Sequence, residues 1–192
     1  LPAYAEIYNR VNSALWKQFE QKTISLADLR VERFAQFLEL THLNRDAEQI
    51  SQTYINFLGQ ATDLIPGAMQ LLQSLAGNYR MAIITNGISA VQHSRLNLSG
   101  FRNFFEAVFI SEEIGVSKPS AAYFEAVFAG IGQPRKTDVL VIGDSLSSDM
   151  RGASDHGLPA CWFNPHNLPL PEGFNIQYQI QALAQLPAIL SI

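Results

Sequence analysis

The sequence predicts an α/β protein, a helical N-terminal segment followed by a parallel-sheet core, and three observations carry that expectation. The first third contains no strand-like run and sets apolar residues at helical spacing, as in Leu26, Leu29, Phe34, Phe37 and Leu38. From Ile65-Pro66-Gly67 onward the texture changes, and short apolar, β-branched runs alternate with helical patterns. Those runs are apolar along their length, as strands covered on both faces by crossover helices are.

Taken in order, three helices are expected in residues 1–65. Ser25 with Asp28 three residues later reads as an N-cap with an acidic first turn, and 44–46 separates that helix from the next, over 47–60. Amphipathic helices bury their apolar faces on one another, so this segment forms a small bundle or cap. The domain boundary is placed at Ile65-Pro66-Gly67, with the α/β core over 66–192. Within the core, strands are expected at 81–85, 107–111, 139–143 and 159–163. The helices fall near 68–76, 89–98, 121–131 and 146–155. The stretch 164–173, rich in Pro, Asn and Gly, reads as a loop before a last helix around 180–190.

Composition narrows the function. Charged residues are 16% of the 192, against a usual ~25%, and the formal charge is -4. Binding to polymeric DNA or RNA calls for a basic footprint and is not expected. A small anion remains a candidate ligand, because backbone N–H groups, one lysine and a metal hold it without positive net charge. The single cysteine, Cys161, excludes an intrachain disulfide and a cysteine-built metal site. No run approaches the ~18 apolar residues of a membrane span, and no basic-then-apolar leader is seen, so a cytoplasmic protein is expected.

In parallel α/β sheets ligands bind beyond the carboxyl ends of the strands, so the polar residues there are the candidates. The first strand stops at Thr85-Asn86-Gly87, a hydroxyl, an amide and a flexible turn entering a helix N-terminus, which suits an oxyanion; the same residues would also serve as a plain helix cap. The third strand runs into Gly143-Asp144-Ser145-Leu146-Ser147-Ser148-Asp149. Asp144 at the strand tip and Asp149 in the next helical turn can address one hard cation, and magnesium takes one or two protein carboxylates. The structural alternative is that Asp149 only complements the helix dipole and Asp144 only shapes a turn. Between them Lys118-Pro119 stands at a loop-to-helix junction, where a lysine either points its charge into the cleft or is merely solvated.

In this order and spacing, Ile84-Thr85-Asn86-Gly87, Lys118-Pro119 and Gly143-Asp144 through Asp149 resemble the second, third and fourth motifs of the haloacid dehalogenase-like (HAD) hydrolases. Residues before Pro66 resemble the small helical cap of that family's phosphatases. Gln92, Arg95, Ser111-Glu112-Glu113-Ile114-Gly115-Val116 and Cys161-Trp162-Phe163-Asn164 look like its bacterial pyrimidine 5'-nucleotidase branch. The resemblance covers essentially the whole chain. It implies a Rossmann-like core with a helical cap, and a magnesium-dependent hydrolase of small phosphomonoesters, above all pyrimidine nucleoside monophosphates. It also implies roles: Thr85, Asn86, Gly87 and Lys118 at the phosphate, Thr85 and Lys118 catalytic, Asp144 and Asp149 at the metal.

One departure stands out. The family's nucleophile lies in an Asp-x-Asp motif closing a first, central strand ahead of the cap, and no Asp-x-Asp occurs in these residues. Asp63, Asp138 and Asp155 are isolated, and none follows a buried strand. The expectation is therefore a sequence without its natural N-terminus, a core lacking that strand, and negligible turnover by the chain alone. A naturally inactive protein is the less favoured reading. Alternatives of other kinds are a non-catalytic phosphate- or partner-binding module and a haloacid dehalogenase, which needs no metal. A phosphoacceptor receiver domain fits poorly, having no helical cap. His42, His93, His156 and His166 show no metal-ligand spacing, Cys161 reads as core, and Trp16, Phe19, Phe34 and Phe37 as the inward face of the cap. A cap aromatic stacking on a nucleobase is the minority reading of those rings.

Overall fold

The computed structural model describes residues 2–190. It resolves into two compact units, one ending at Ala61 and the other beginning at Thr62. The first unit is three helices: α1 (Pro2–Glu20), α2 (Leu26–Thr41) and α3 (Ala47–Gln60). Ser25 caps α2 as its composition implies, its hydroxyl accepting from the Asp28 N–H while the Asp28 carboxylate accepts from the Ser25 N–H. Asp46 caps α3 by accepting from the N–H groups of Glu48 and Gln49. Val11, Leu15 and Leu29 are buried between α1 and α2, and Trp16, Phe19 and Ile24 close over them. Phe34 is buried, while Phe37 is half-buried among the rings of Tyr4 and Tyr8.

The second unit alternates strand and helix: α4 (Ala68–Leu75), β1 (Ala82–Thr85), α5 (Ser89–Leu98), β2 (Ala107–Ile110), the single turn α6 (Ser111–Ile114) and α7 (Ala121–Gly130). There follow β3 (Val141–Gly143), α8 (Arg151–Asp155), β4 (Ala160–Phe163), β5 (Tyr178–Ile180) and α9 (Leu186–Leu190). All pairing is parallel. β1 pairs with β2, Ala82 opposite Ala107 and Thr85 opposite Ile110. β4 pairs with both β3 and β5, Val141 opposite Ala160 and Phe163 opposite Ile180. The sheet is therefore in two parts, of two and three strands, and β1 and β3 are not hydrogen-bonded to each other among the described residues.

Two local features differ from the expectation. Residues 178–180, which reach the start of the last helix expected around 180–190, form β5; Ile180 is buried beside Cys161 and Leu186, and the short α9 follows. An edge strand of three residues carries too little periodicity to be separated from a helix start by pattern alone. The helix expected over 146–155 opens with a wide π turn (Leu146–Met150), in which the N–H groups of Asp149 and Met150 both donate to the Ser145 carbonyl at 3.0 Å. Such turns interrupt α-helices frequently at functional positions.

The main core lies between α7, α8 and the three-stranded sheet. Tyr123, Phe124, Val127 and Phe128 pack on Val141, Met150, Ala153, Leu158, Ala160 and Trp162. α7 buries one face through Tyr123, Phe124, Val127 and Phe128, while its small residues Ala121, Ala122 and Ala129 and the charged Glu125 lie on the exposed face.

Candidate active site

The candidate residues converge on one side chain. Lys118, 5% exposed, sends its ammonium to the tip of β1, where Nζ donates to the Ile84 carbonyl at 2.9 Å and to Asp149 Oδ1 at 2.6 Å. Asp149 is itself 6% exposed, and its second oxygen accepts from the Ser145 N–H at 3.2 Å. A charge pair this buried persists because each partner has further hydrogen bonds to satisfy its remaining valences. The pair ties the carboxyl end of β1 to the turn that leaves β3.

Backbone clasps hold the lysine in place. Asn86 reads the peptide of Lys118 on both sides: Nδ2 donates to the Lys118 carbonyl at 2.9 Å, and Oδ1 accepts from the Lys118 N–H at 2.9 Å. The Lys118–Pro119 peptide is cis. One residue earlier, Thr85 Oγ1 accepts from the Gly87 N–H at 3.0 Å, which leaves the hydroxyl hydrogen able to donate elsewhere. The Thr85 N–H donates to the Tyr123 hydroxyl at 3.0 Å, and that hydroxyl donates to the Phe109 carbonyl at 2.7 Å. Burial pushes the Tyr123 phenol above its ordinary range, and the Asp149 charge adds to this, so it stays a neutral bridge between β1 and β2.

Two glycines are fixed by close approach. A Cβ on Gly143 would overlap the Asp149 carboxylate, and one on Gly87 would overlap the Gln92 amide. Asp144 is placed differently from the other candidates. It follows β3 on the exposed side, its carbonyl accepts from Trp162 Nε1 at 3.0 Å, and its carboxylate makes no hydrogen bond or ion pair with the described residues. Thr85, Asn86, Gly87, Lys118 and Asp149 thus share one bonded network, and the Asp144 side chain stands outside it. No group of three or more His, Cys, Asp or Glu side chains able to hold a metal occurs among the described residues. A free carboxylate beside an engaged one still suits magnesium, which draws most of its oxygen ligands from water and substrate.

The remaining candidates take structural places. His93 Nε2 lies 2.7 Å from Glu113 Oε1, His42 ends α2 with left-handed backbone, and the His156 ring stands 5.1 Å from that of Phe124. Cys161 is buried, and burial pushes its thiol up to about 11. Sequence reasoning overlooked Tyr123 and Ser145. Tyr123 lies in an apolar helix and reads as core; the signal was a lone hydroxyl among fully buried positions, which must find partners. Ser145 reads as turn composition.

With this geometry in view, the comparison with known proteins is decisive at the level of family. The model of the haloacid dehalogenase-like hydrolases matches residues 3–163. The chain belongs to that family. This HAD-like hydrolase is 35% identical over 183 residues to the pyrimidine 5'-nucleotidase YjjG of Escherichia coli, covering 95% of this chain and 80% of that protein. It is 37% identical over 169 residues to the pyrimidine 5'-nucleotidase PynA of Streptococcus pneumoniae, covering 88% and 71%. The crystal structure of YfnB from Bacillus subtilis, described as bound to magnesium, superposes with a TM-score of 0.94 at 34% identity, covering all of this chain and 84% of that one. A solved dehalogenase at 17% identity and the L-2-haloacid dehalogenase RSc1362 at 14% share the fold, each with a TM-score of 0.81. No helix among the described residues is long and apolar enough to cross a membrane.

Proposed function

We propose that this HAD-like hydrolase is a magnesium-dependent phosphomonoester hydrolase acting on pyrimidine nucleoside 5'-monophosphates. The observation that carries the phosphate chemistry is the buried Lys118 ammonium. Two of its N–H groups are held by Ile84 and Asp149, and the third has no acceptor among the described residues. A cation so positioned beside a strand tip neutralises a phosphoryl group without first reorganising. The pyrimidine preference is supported by the names of the two nucleotidase relatives at 35% and 37% identity.

In this reading Thr85 donates its free hydroxyl hydrogen to a phosphoryl oxygen and Asn86 offers its backbone N–H, while Gly87, whose N–H is held by Thr85 Oγ1, lets the phosphate approach the turn into α5. Asn86 also keeps Lys118 at fixed depth through its two bonds to that residue's peptide. Asp144 holds the magnesium ion, and Asp149 orients both the lysine and the metal's surroundings. When bound, the ion draws charge from the phosphoryl oxygens, the Lewis-acid contribution such sites supply. Holding charge in place is most of what phosphoryl transfer asks of a protein. The family's nucleophile belongs to an Asp-x-Asp motif absent from this sequence. Turnover by these 192 residues without that motif is expected to be negligible.

The test is phosphate release from UMP, dUMP and dTMP with magnesium or with EDTA, by this chain and by a version extended upstream with a strand bearing Asp-x-Asp. Activity only in the extended protein, lost with EDTA, is the expected result. Within it, Lys118→Ala lowers kcat by a factor of ~10² or more, and Asp144→Asn abolishes the magnesium-dependent activity. A folded extended protein that releases no phosphate would overturn the reading.

A further inference from the structure

The phosphate chemistry makes no use of Gln92, a polar side chain near the turn that follows β1. Gln92 lies one turn into α5, and its side chain folds back toward the start of that helix, as helical side chains lean. Its amide rests against Gly87: a Cβ there would fall on Nε2 and stand 2.9 Å from Cδ. Gly87 lies outside the left-handed region, so its backbone conformation does not call for glycine. The space left by the missing Cβ is the space that the Gln92 amide takes. The Gln92 backbone N–H donates to the Ile88 carbonyl at 2.9 Å, while the side-chain amide makes no hydrogen bond with the described residues.

A phosphoryl group brings three terminal oxygens, each a strong acceptor. Several donors of the turn are already taken. The Gly87 N–H is held by Thr85 Oγ1, the Ser89 N–H donates to Glu112 Oε2 at 2.7 Å, and the Ser89 hydroxyl donates to Glu113. The Asn86 side chain is spent on the Lys118 peptide, and the Lys118 charge is balanced by Asp149 at 2.6 Å. Gln92 Nε2 adds two uncommitted donors beside the Thr85 hydroxyl and the Asn86 N–H. A neutral amide supplies them without a second cation, whose charge-assisted bonds would hold the released phosphate tightly. Thr85, Asn86, Gly87 and Gln92 are each only half-buried, so the turn is open to a ligand.

We propose that Gln92 contacts the substrate, its Nε2 donating to a phosphoryl oxygen that reaches the turn at Gly87, beside the Thr85 hydroxyl and Lys118. The assignment rests on the reading of this turn as the phosphate site. It gives Gly87 a second task, since glycine there admits the Gln92 amide as well as the ligand. A donor to a phosphoryl oxygen acts on the bound group before transfer as well as during it, so its loss is read first in affinity.

Inorganic phosphate, with magnesium present and at constant ionic strength, is the probe. In the chain labelled with 15N-glutamine, the side-chain amide pair that disappears in Gln92→Met or Gln92→Glu is expected to shift saturably, with the affinity that calorimetry gives. Both replacements are good helix formers of similar length, and circular dichroism verifies that α5 is kept. Phosphate affinity should fall at least ~10-fold in Gln92→Met, the scale of a lost hydrogen bond to a charged group. It should fall further in Gln92→Glu, which turns a carboxylate toward the anion. A Gln92 pair that stays still while phosphate gives binding heat overturns the proposal, as does unchanged affinity in Gln92→Met or an equal shift with chloride; Gln92 is then a solvated residue of α5. No binding heat with the wild-type chain overturns the phosphate-site reading, and this assignment with it. No phosphate release from UMP by the extended protein, with phosphate still moving Gln92, would count against the hydrolase reading alone.

Discussion

Breaking the Lys118–Asp149 pair one partner at a time, and then removing both, tests the central geometric claim. The two side chains are 7% and 9% exposed, and Nζ and Oδ1 are 2.6 Å apart. Lys118→Met leaves the Asp149 carboxylate with only the Ser145 N–H, and Asp149→Leu leaves an ammonium with only the Ile84 carbonyl. Each single change strands a buried charge and should cost about 3–5 kcal/mol. The double variant strands none and fills the space with apolar atoms, so its loss should fall below the sum of the singles by ~2–3 kcal/mol. Urea unfolding measures this, provided the second unit is followed alone. Trp162 is buried in that unit and Trp16 lies in the helical one, so a Trp16→Phe background makes the fluorescence report on the core. Molar salt should change the coupling little, because a desolvated pair is poorly screened. Single variants costing less than about 1 kcal/mol, or a double variant equal to their sum, would mean the pair is solvated and the site is not built as described.

Three further outcomes are expected. Tyr123→Phe removes the bridge between the Thr85 N–H and the Phe109 carbonyl; two unmet backbone groups should cost ~1–3 kcal/mol in the same urea assay, and a neutral result would mean β1 and β2 do not depend on it. Glu113 is held below the ordinary carboxylate range by the Ser89 hydroxyl and then by His93. Its folded form therefore favours the charged state, so its small contribution to stability is present above the ordinary carboxylate value and is lost as pH falls through the depressed one. Carboxyl 13C titration should show a low midpoint that rises in Ser89→Ala; an unmoved midpoint would refute the contact. Cys161, buried and with its thiol at about 11, should react with an aromatic disulfide at pH 8 only as fast as the protein unfolds. Rapid labelling of the native protein would place it at the surface.

Much of the fold is legible in the sequence because it rests on local chemistry. α5 spans Ser89–Leu98 and α3 spans Ala47–Gln60, where periodicity and the break at 44–46 place them, and four strands lie within the apolar runs at 81–85, 107–111, 139–143 and 159–163. β5 escaped because three residues on a sheet edge owe their conformation to Cys161 and Phe163 across the ladder rather than to their own pattern. The π turn escaped because a serine carbonyl accepting from two successive N–H groups leaves no mark in composition.

For the site the division is similar. Thr85, Asn86, Gly87, Lys118, Asp144 and Asp149 could be singled out from strand ends and residue chemistry, since parallel strands expose their functional groups there. That Lys118 spans from Ile84 to Asp149, that Asn86 clasps its peptide from 32 residues away, and that Asp144 stays outside the network are tertiary facts. The same holds for Tyr123, whose residue type is found both in cores and at surfaces. The sequence by itself determined which local elements form and which chemical groups stand at their ends, because caps, periods and strand runs act between near neighbours. Only the tertiary structure decided which donors meet which acceptors, because burial and pairing depend on side chains far apart in the chain.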